Sequence, residues 1–301
     1  MSGSVTLAAG DCEAVVEPGY GGRITAFRQG GVDLLVPIAK GPRDLAVSLP
    51  GGCYPLVPWS NRIRDGRLTA GDRVLELPSS EDGKNHAIHG HGLRRAWTVR
   101  DNAAASIAMT YTQAADAEGW PWAYTAEQRV TLTLAGLEIT LSVTNSGEPF
   151  MSVGAMPVGL GLHPYLPRDD DTRITFAAET AWPPVEAEKF PTSAAPLPAH
   201  LNARGGIPVP LGLDQGSGGW GGVARVDWPS RGRALAITAD PVLSHLIVYT
   251  PPDQPFFCVE PVSHAIDAAN LSARGVQGTG HRLLASGESL CATVRYGIEV
   301  L

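Results

Sequence analysis

Long apolar runs are missing from this chain: no stretch approaches the roughly 20 apolar residues that cross a bilayer, so a membrane is not an expected partner. Basic runs are missing too. Lys and Arg number 23 against 30 Asp and Glu, a formal net charge of −7. A surface of that sign repels phosphate backbones, which argues against nucleic acid as a partner. Cysteine is scarce, and Cys12, Cys53, Cys258 and Cys291 lie far apart without a CxxC pair. They read as small buried hydrophobes and not as a disulfide framework. The opening residues carry neither a basic segment nor a continuous apolar one, so no secretory leader is expected and the cytoplasm is the default location. A helical period of 3.6 sustained over a dozen residues is absent as well.

What is present points to β structure. Apolar residues make up 44% and charged ones 18%, the balance of an ordinary packed core. Gly (35) and Pro (25) are spread throughout and punctuate many short elements. Between Arg129 and Thr144, Leu137, Ile139, Leu141 and Val143 alternate with Glu138, Thr140, Ser142 and Thr144, a period of two with one face buried. Ala135-Gly136 is the expected turn of this hairpin. Alternation recurs at Ile107, Met109 and Tyr111, and at Val294, Tyr296, Ile298 and Val300; shorter runs cover Thr172–Phe176, Ala234–Thr238 and His245–Tyr249. The Pro- and Gly-rich segment from Trp182 to Gly222 reads as long surface loops. With no internal repeat and no convincing linker, residues 1–301 are expected to form a single all-β domain of many antiparallel strands.

Four segments break this strand grammar by concentrating polar groups among Gly, Pro and aromatics: Tyr54–Ile63, Asn85–Gly92, Leu162–Tyr165 and Cys258–His264. Such segments can supply what opening a sugar ring requires. One group takes the proton of the anomeric hydroxyl while another delivers a proton to the ring oxygen, roles suited to a carboxylate and an imidazolium. Other donors hold the remaining hydroxyls while the open form rotates about C1–C2.

At these residues the sequence resembles the aldose 1-epimerases, or galactose mutarotases. The ordered set Pro58-x-Ser-Asn-Arg-Ile, Ile88-His89-Gly90, His163-Pro164-Tyr165 and Glu260-Pro261-Val262-Ser263-His264 carries the resemblance, which extends from Gly21-Gly22-Arg23-Ile24 to Gly287-Glu288-Ser289. It implies a large antiparallel β-sandwich with a sugar groove across one sheet and a small-molecule sugar as substrate. Neither cofactor nor metal is expected. It further implies that Glu260 is the base and His163 the acid, that His89 binds sugar hydroxyls, and that Asn61 and Arg62 line the site. The sugar-binding aspartate of the family has its nearest match in Asp214, where Gln215 and Ser217 replace the usual His and aromatic residue. A sugar-binding or sensing module without turnover, or an epimerase or lyase acting on another carbohydrate in the same groove, are the competing readings.

Several other features are weaker. Gly216–Gly221 satisfies GxGxxG, yet Val223-Ala224-Arg225-Val226 after it reads as a strand and not the helix a dinucleotide site needs. His86, His89 and His91 lack the context of a metal site, and His86, His91 and His264 read as structural. Arg64 and Arg67 read as solvated. Trp59 is equally suited to stacking on a sugar and to core packing.

Overall fold

The computed structural model describes residues 3–46, 49–80, 84–115, 119–147, 153–185 and 190–301. Among these, two large antiparallel sheets dominate. One has eleven strands and the other nine.

The alternation read from the sequence decides how they pack. Tyr124–Thr133 and Gly136–Asn145 form a hairpin in the nine-stranded sheet. Its turn is Leu134-Ala135, one residue earlier than expected, because Gly136 already pairs with Thr133. A Cβ on Gly136 would lie 2.0 Å from the Tyr296 carbonyl, so the glycine serves close strand approach instead of the bend. Leu137, Ile139, Leu141 and Val143 are buried, as are Val294 and Tyr296 on the neighbouring strand Ser289–Val300. They meet Leu162, Leu166, Leu246, Val248, Phe257 and Val259 of the eleven-stranded sheet in one core. This is the sandwich.

The eleven-stranded sheet also buries apolar groups on its other face, where Tyr54, Leu56, Tyr165, Ile247 and Cys258 form a second cluster. Strand Phe256–Val262 shows the division: Phe257 and Val259 enter the sandwich core, while Phe256, Cys258 and Val262 face the opposite way. Glu260 shares their parity.

Two further expectations need correction. The segment from Trp182 to Gly222 is not all surface loop, although residues 186–189 lie outside the described residues. Leu213–Gly218 is an interior strand hydrogen-bonded to Thr180–Trp182 and His245–Thr250, and Trp182 is fully buried. Its Asp-Gln-Gly-Ser-Gly composition has no strand propensity; pairing on both sides imposes the conformation. Cys291 is exposed, unlike the other three cysteines, because it lies on the solvent side of Ser289–Val300. All four are free thiols. One short helix, Ala268–Ala273, is too brief for a period to reveal. No described helix is long and apolar enough to cross a membrane.

Candidate active site

Glu260 and His163 are 97 positions apart in sequence, and strand register makes them neighbours. Strands Gly161–Pro167 and Phe256–Val262 pair with Gly161 opposite Val262 and Tyr165 opposite Cys258. His163 and Glu260 fall midway between those pairs on the same face, where opposed side chains approach within about 5 Å. His163 Nε2 lies 3.3 Å from Glu260 Oε1. The row continues across the sheet: Tyr54 pairs with His163, Ile247 with Glu260, and Gly216 with Ile247. In the adjacent row Cys258 pairs with Tyr249 and Tyr249 with Asp214. Asp214 therefore reaches the site from the strand that the sequence disguised as loop.

Aromatic rings fix the imidazole. His163 is stacked between Tyr54 (centroids 4.6 Å apart) and Tyr165 (4.8 Å). Behind Tyr54 lies Arg23, fully buried, its guanidinium 4.4 Å from the Tyr54 ring and 4.7 Å from Tyr20. Each stack or cation–π contact contributes on the order of 1 kcal/mol, and together they leave the ring little freedom to turn away from Glu260. Burial, followed by the Arg23 charge, lowers the His163 pKa to about 3. Glu260, 2% exposed, is shifted the opposite way. Burial and then the Asp214 carboxylate push it well above the ordinary range, with Arg62 opposing. The apolar neighbours of Glu260 along its strand divide between the two faces: Phe257 and Val259 face the sandwich core, whereas Phe256 and Cys258 lie on its own side. Both shifts share one leading cause: burial disfavours charge on either partner.

The rim comes from two turns that lock each other. Asn61 and His89 both adopt left-handed backbone, φ 53° and 65°. The Asn61 N–H donates to His89 Nδ1 (3.1 Å) and the His89 N–H donates to the Asn61 carbonyl (2.9 Å). Because Nδ1 accepts, the neutral ring carries its proton on Nε2. Burial, followed by the proximity of His163 and the Arg62 charge, holds the His89 pKa well below normal and keeps the ring in this form. After His89, Gly90 (φ 67°) brings the chain so close to Val57 that a Cβ would sit 2.1 Å from its carbonyl oxygen. That close approach explains the glycine after His89.

Asn61 Oδ1 accepts from the backbone N–H of Arg62 (2.9 Å) and from its Nη1 (3.3 Å). The same Nη1 lies 3.6 Å from Asp214 Oδ2. All six expected site residues (Asn61, Arg62, His89, His163, Asp214 and Glu260) thus surround one region of a single sheet face. Tyr54, Tyr165 and Arg23 complete it. Tyr54 and Tyr165 lay in segments already marked as polar, but nothing local in the sequence assigns them to stacking on His163.

Other candidates fall away from the centre. Trp59 belongs to the core, stacked 5.2 Å from Trp120 and edge-on to His91. His91 Nδ1 is 2.9 Å from the Tyr124 hydroxyl, and His264 Nε2 accepts from the Ser60 N–H (3.2 Å). His86 Nδ1 accepts from the Asp65 N–H at 3.0 Å. These three are structural. Arg67 pairs with Glu76 in an exposed position (2.7 Å). Arg64 is not simply solvated: its guanidinium lies 4.5 Å from the Phe190 ring. The GxGxxG run is followed by strand Val223–Trp228, which removes the helix a dinucleotide phosphate would need. A cleft of about 400 Å³ lined by Gly90, His91, Arg94 and Arg95 adjoins the His89 turn but includes neither Glu260 nor His163.

Among the described residues, one cluster has the composition of a metal centre: His163, Cys258 and Glu260, whose ligand atoms lie within 4.8 Å of one another. The His86–His89–His91 run does not assemble such a cluster.

A buried acid–base pair on the outer face of an antiparallel sandwich, rimmed by Asn, Arg, His and Asp, suits a polyhydroxylated ligand. The same architecture recurs in proteins of known structure. A putative aldose 1-epimerase from Escherichia coli K12 superposes with a TM-score of 0.86 at 28% identity, covering 99% of each chain. A galactose mutarotase-like protein from Clostridium acetobutylicum gives 0.83 at 20% identity, over 99% of this chain and 95% of that one. In sequence, the uncharacterised Escherichia coli (strain K12) protein YphB is 30% identical over 291 residues, 93% of this chain and 94% of its own. The aldose 1-epimerase family profile matches residues 3–297. The chain belongs to the aldose 1-epimerase family.

Proposed function

We propose that the protein is an aldose 1-epimerase that interconverts the α and β anomers of a free sugar. The observation that carries this reading is the His163–Glu260 contact: a carboxyl and an imidazole 3.3 Å apart, both buried. A sugar inserted between them replaces the direct contact by one through its own oxygens. Its hydroxyls hydrogen-bond to the carboxylate and the imidazolium, which favours the charged arrangement of the pair over the neutral one that burial prefers.

Glu260 carboxylate then takes the O1 proton as the C1–O5 bond breaks, and His163 delivers its proton to O5. The products are the open aldehyde, neutral Glu260 and neutral His163. Rotation about C1–C2 presents the other face of the aldehyde, and reversing both transfers closes the ring as the second anomer. The pair ends with the proton it began with, so turnover consumes nothing.

His89 Nε2–H, Arg62 and Asn61 donate to ring and hydroxyl oxygens, while Asp214 accepts from hydroxyls. Their contacts hold the open form in place during rotation. A sugar-sensing module would need the donors but gains nothing from a buried acid–base pair. The deciding experiment is NMR exchange spectroscopy or polarimetry on EDTA-treated protein over a panel of aldoses. Catalysed interconversion of at least one sugar is expected. Binding of a sugar without any acceleration would replace this reading with the sensing module.

A further inference from the structure

The floor of this sheet face offers more than a proton pair. Cys258 lies two residues before Glu260 on the same strand and the same face, and its register partner Tyr165 is two residues from His163. A free thiol, a carboxylate and an imidazole therefore converge from two strands. We infer that His163 Nε2, Glu260 and Cys258 Sγ form a tripodal site for a thiophilic divalent cation, of which zinc is the type, and that the cation acts as a reversible inhibitor.

The dimensions fit. Tetrahedral zinc with Zn–N and Zn–O bonds of about 2.0–2.2 Å places its N and O ligands about 3.3 Å apart. His163 Nε2 and Glu260 Oε1 are already 3.3 Å apart. With Zn–S near 2.3 Å the sulfur belongs about 3.6 Å from each of the others. One ligand atom of each residue lies within 4.8 Å of the other two, so coordination would require side-chain adjustments of about 1 Å. Glu260 Oε2 and His163 Nδ1, both buried, have no hydrogen-bond partner among the described residues. The fourth coordination position is left for water or a sugar hydroxyl.

Binding displaces the Cys258 thiol proton and any proton on Glu260 to solvent, leaving thiolate and carboxylate as ligands. The metal then occupies the space where a sugar must enter and ties up both proton-transfer groups. Metal binding rests on ligand geometry alone, whereas inhibition rests on the epimerase reading of the same site.

The test is titration of EDTA-treated full-length protein with cobalt(II), read by its thiolate charge-transfer absorption, then displacement by zinc(II). One cobalt per chain is expected. The band should survive Cys291→Ser and vanish in Cys258→Ser, with metal affinity at least about tenfold weaker. In Glu260→Gln the affinity should fall by a similar factor. Where an aldose is turned over, saturating zinc should slow it at least about tenfold and EDTA should restore it. Absence of saturable binding would overturn the inference. So would an unchanged charge-transfer band in Cys258→Ser that retains native circular dichroism. Should that variant not fold, cobalt binding of undiminished affinity in Glu260→Gln refutes it equally.

Discussion

Replacing Glu260 by Gln should damage catalysis and strengthen the fold, and the two effects have one cause. The amide has the size of the carboxylate, and its NH2 can donate to His163 Nε2 across the present 3.3 Å contact, so the Tyr54–His163–Tyr165 stack should survive. What is lost is the ability to accept the anomeric proton. A general base contributes about 10²–10⁴ in rate, which is roughly 3–5 kcal/mol of barrier. Exchange spectroscopy should show kcat reduced by that factor with sugar affinity preserved. Stability should move the other way. Burial and Asp214 raise the Glu260 pKa in the folded state, so folding favours its protonated form. Below the unfolded-state pKa the group costs nothing. As pH rises towards the raised folded value the unfolded chain is increasingly favoured, by up to about 1.4 kcal/mol per pH unit. Thermal melts of the Gln variant against the parent should thus show a gain that is small near pH 4.5 and grows by pH 8. A variant that keeps more than a tenth of the parental kcat, or whose stability difference is flat with pH, would refute the reasoning.

Arg62→Lys should lower kcat/KM by about 10- to 100-fold, since one ammonium cannot replace donors directed at both Asn61 Oδ1 and Asp214 and still reach a sugar. Arg64→Ala, which removes the contact over Phe190, should change steady-state rates by less than a factor of about three. Asp214→Asn removes the charge that helps raise the Glu260 pKa, so the alkaline limb of the kcat/KM profile should shift to lower pH; an unmoved limb would place Asp214 outside the site. His163 and His91 are held down to about 3 and His264 to about 4, all chiefly by burial. Lowered folded values mean stability that is full above the unfolded pKa near 6.5 and lost as pH falls towards the folded ones. The melting temperature should fall steadily from pH 6.5 to pH 4.5. His91→Gln, which keeps a partner for the Tyr124 hydroxyl, should make that fall shallower.

The class of fold and the kinds of residue that meet in the candidate site were legible from local sequence. Strict alternation from Leu137 to Val143 is a local property, and so is the clustering of Asn61-Arg62, His89-Gly90, His163-Pro164-Tyr165 and Glu260-Pro261 between strand-like runs. Whatever is local survives in one dimension. Leu213–Gly218 was invisible as a strand because its own residues do not favour one; its conformation comes from hydrogen bonds to partners on both sides. The opposition of His163 and Glu260 comes from register between strands distant in the chain, and shifting that register by one residue would send Glu260 into the sandwich core. Protonation states were likewise beyond local reading. They follow from burial and from the Arg23, Arg62 and Asp214 charges that the folded sheet brings near the pair. Cys258 shows the division most simply: the sequence marked it correctly as a buried thiol, and only the pleat and pairing of two strands set it beside a carboxylate and an imidazole.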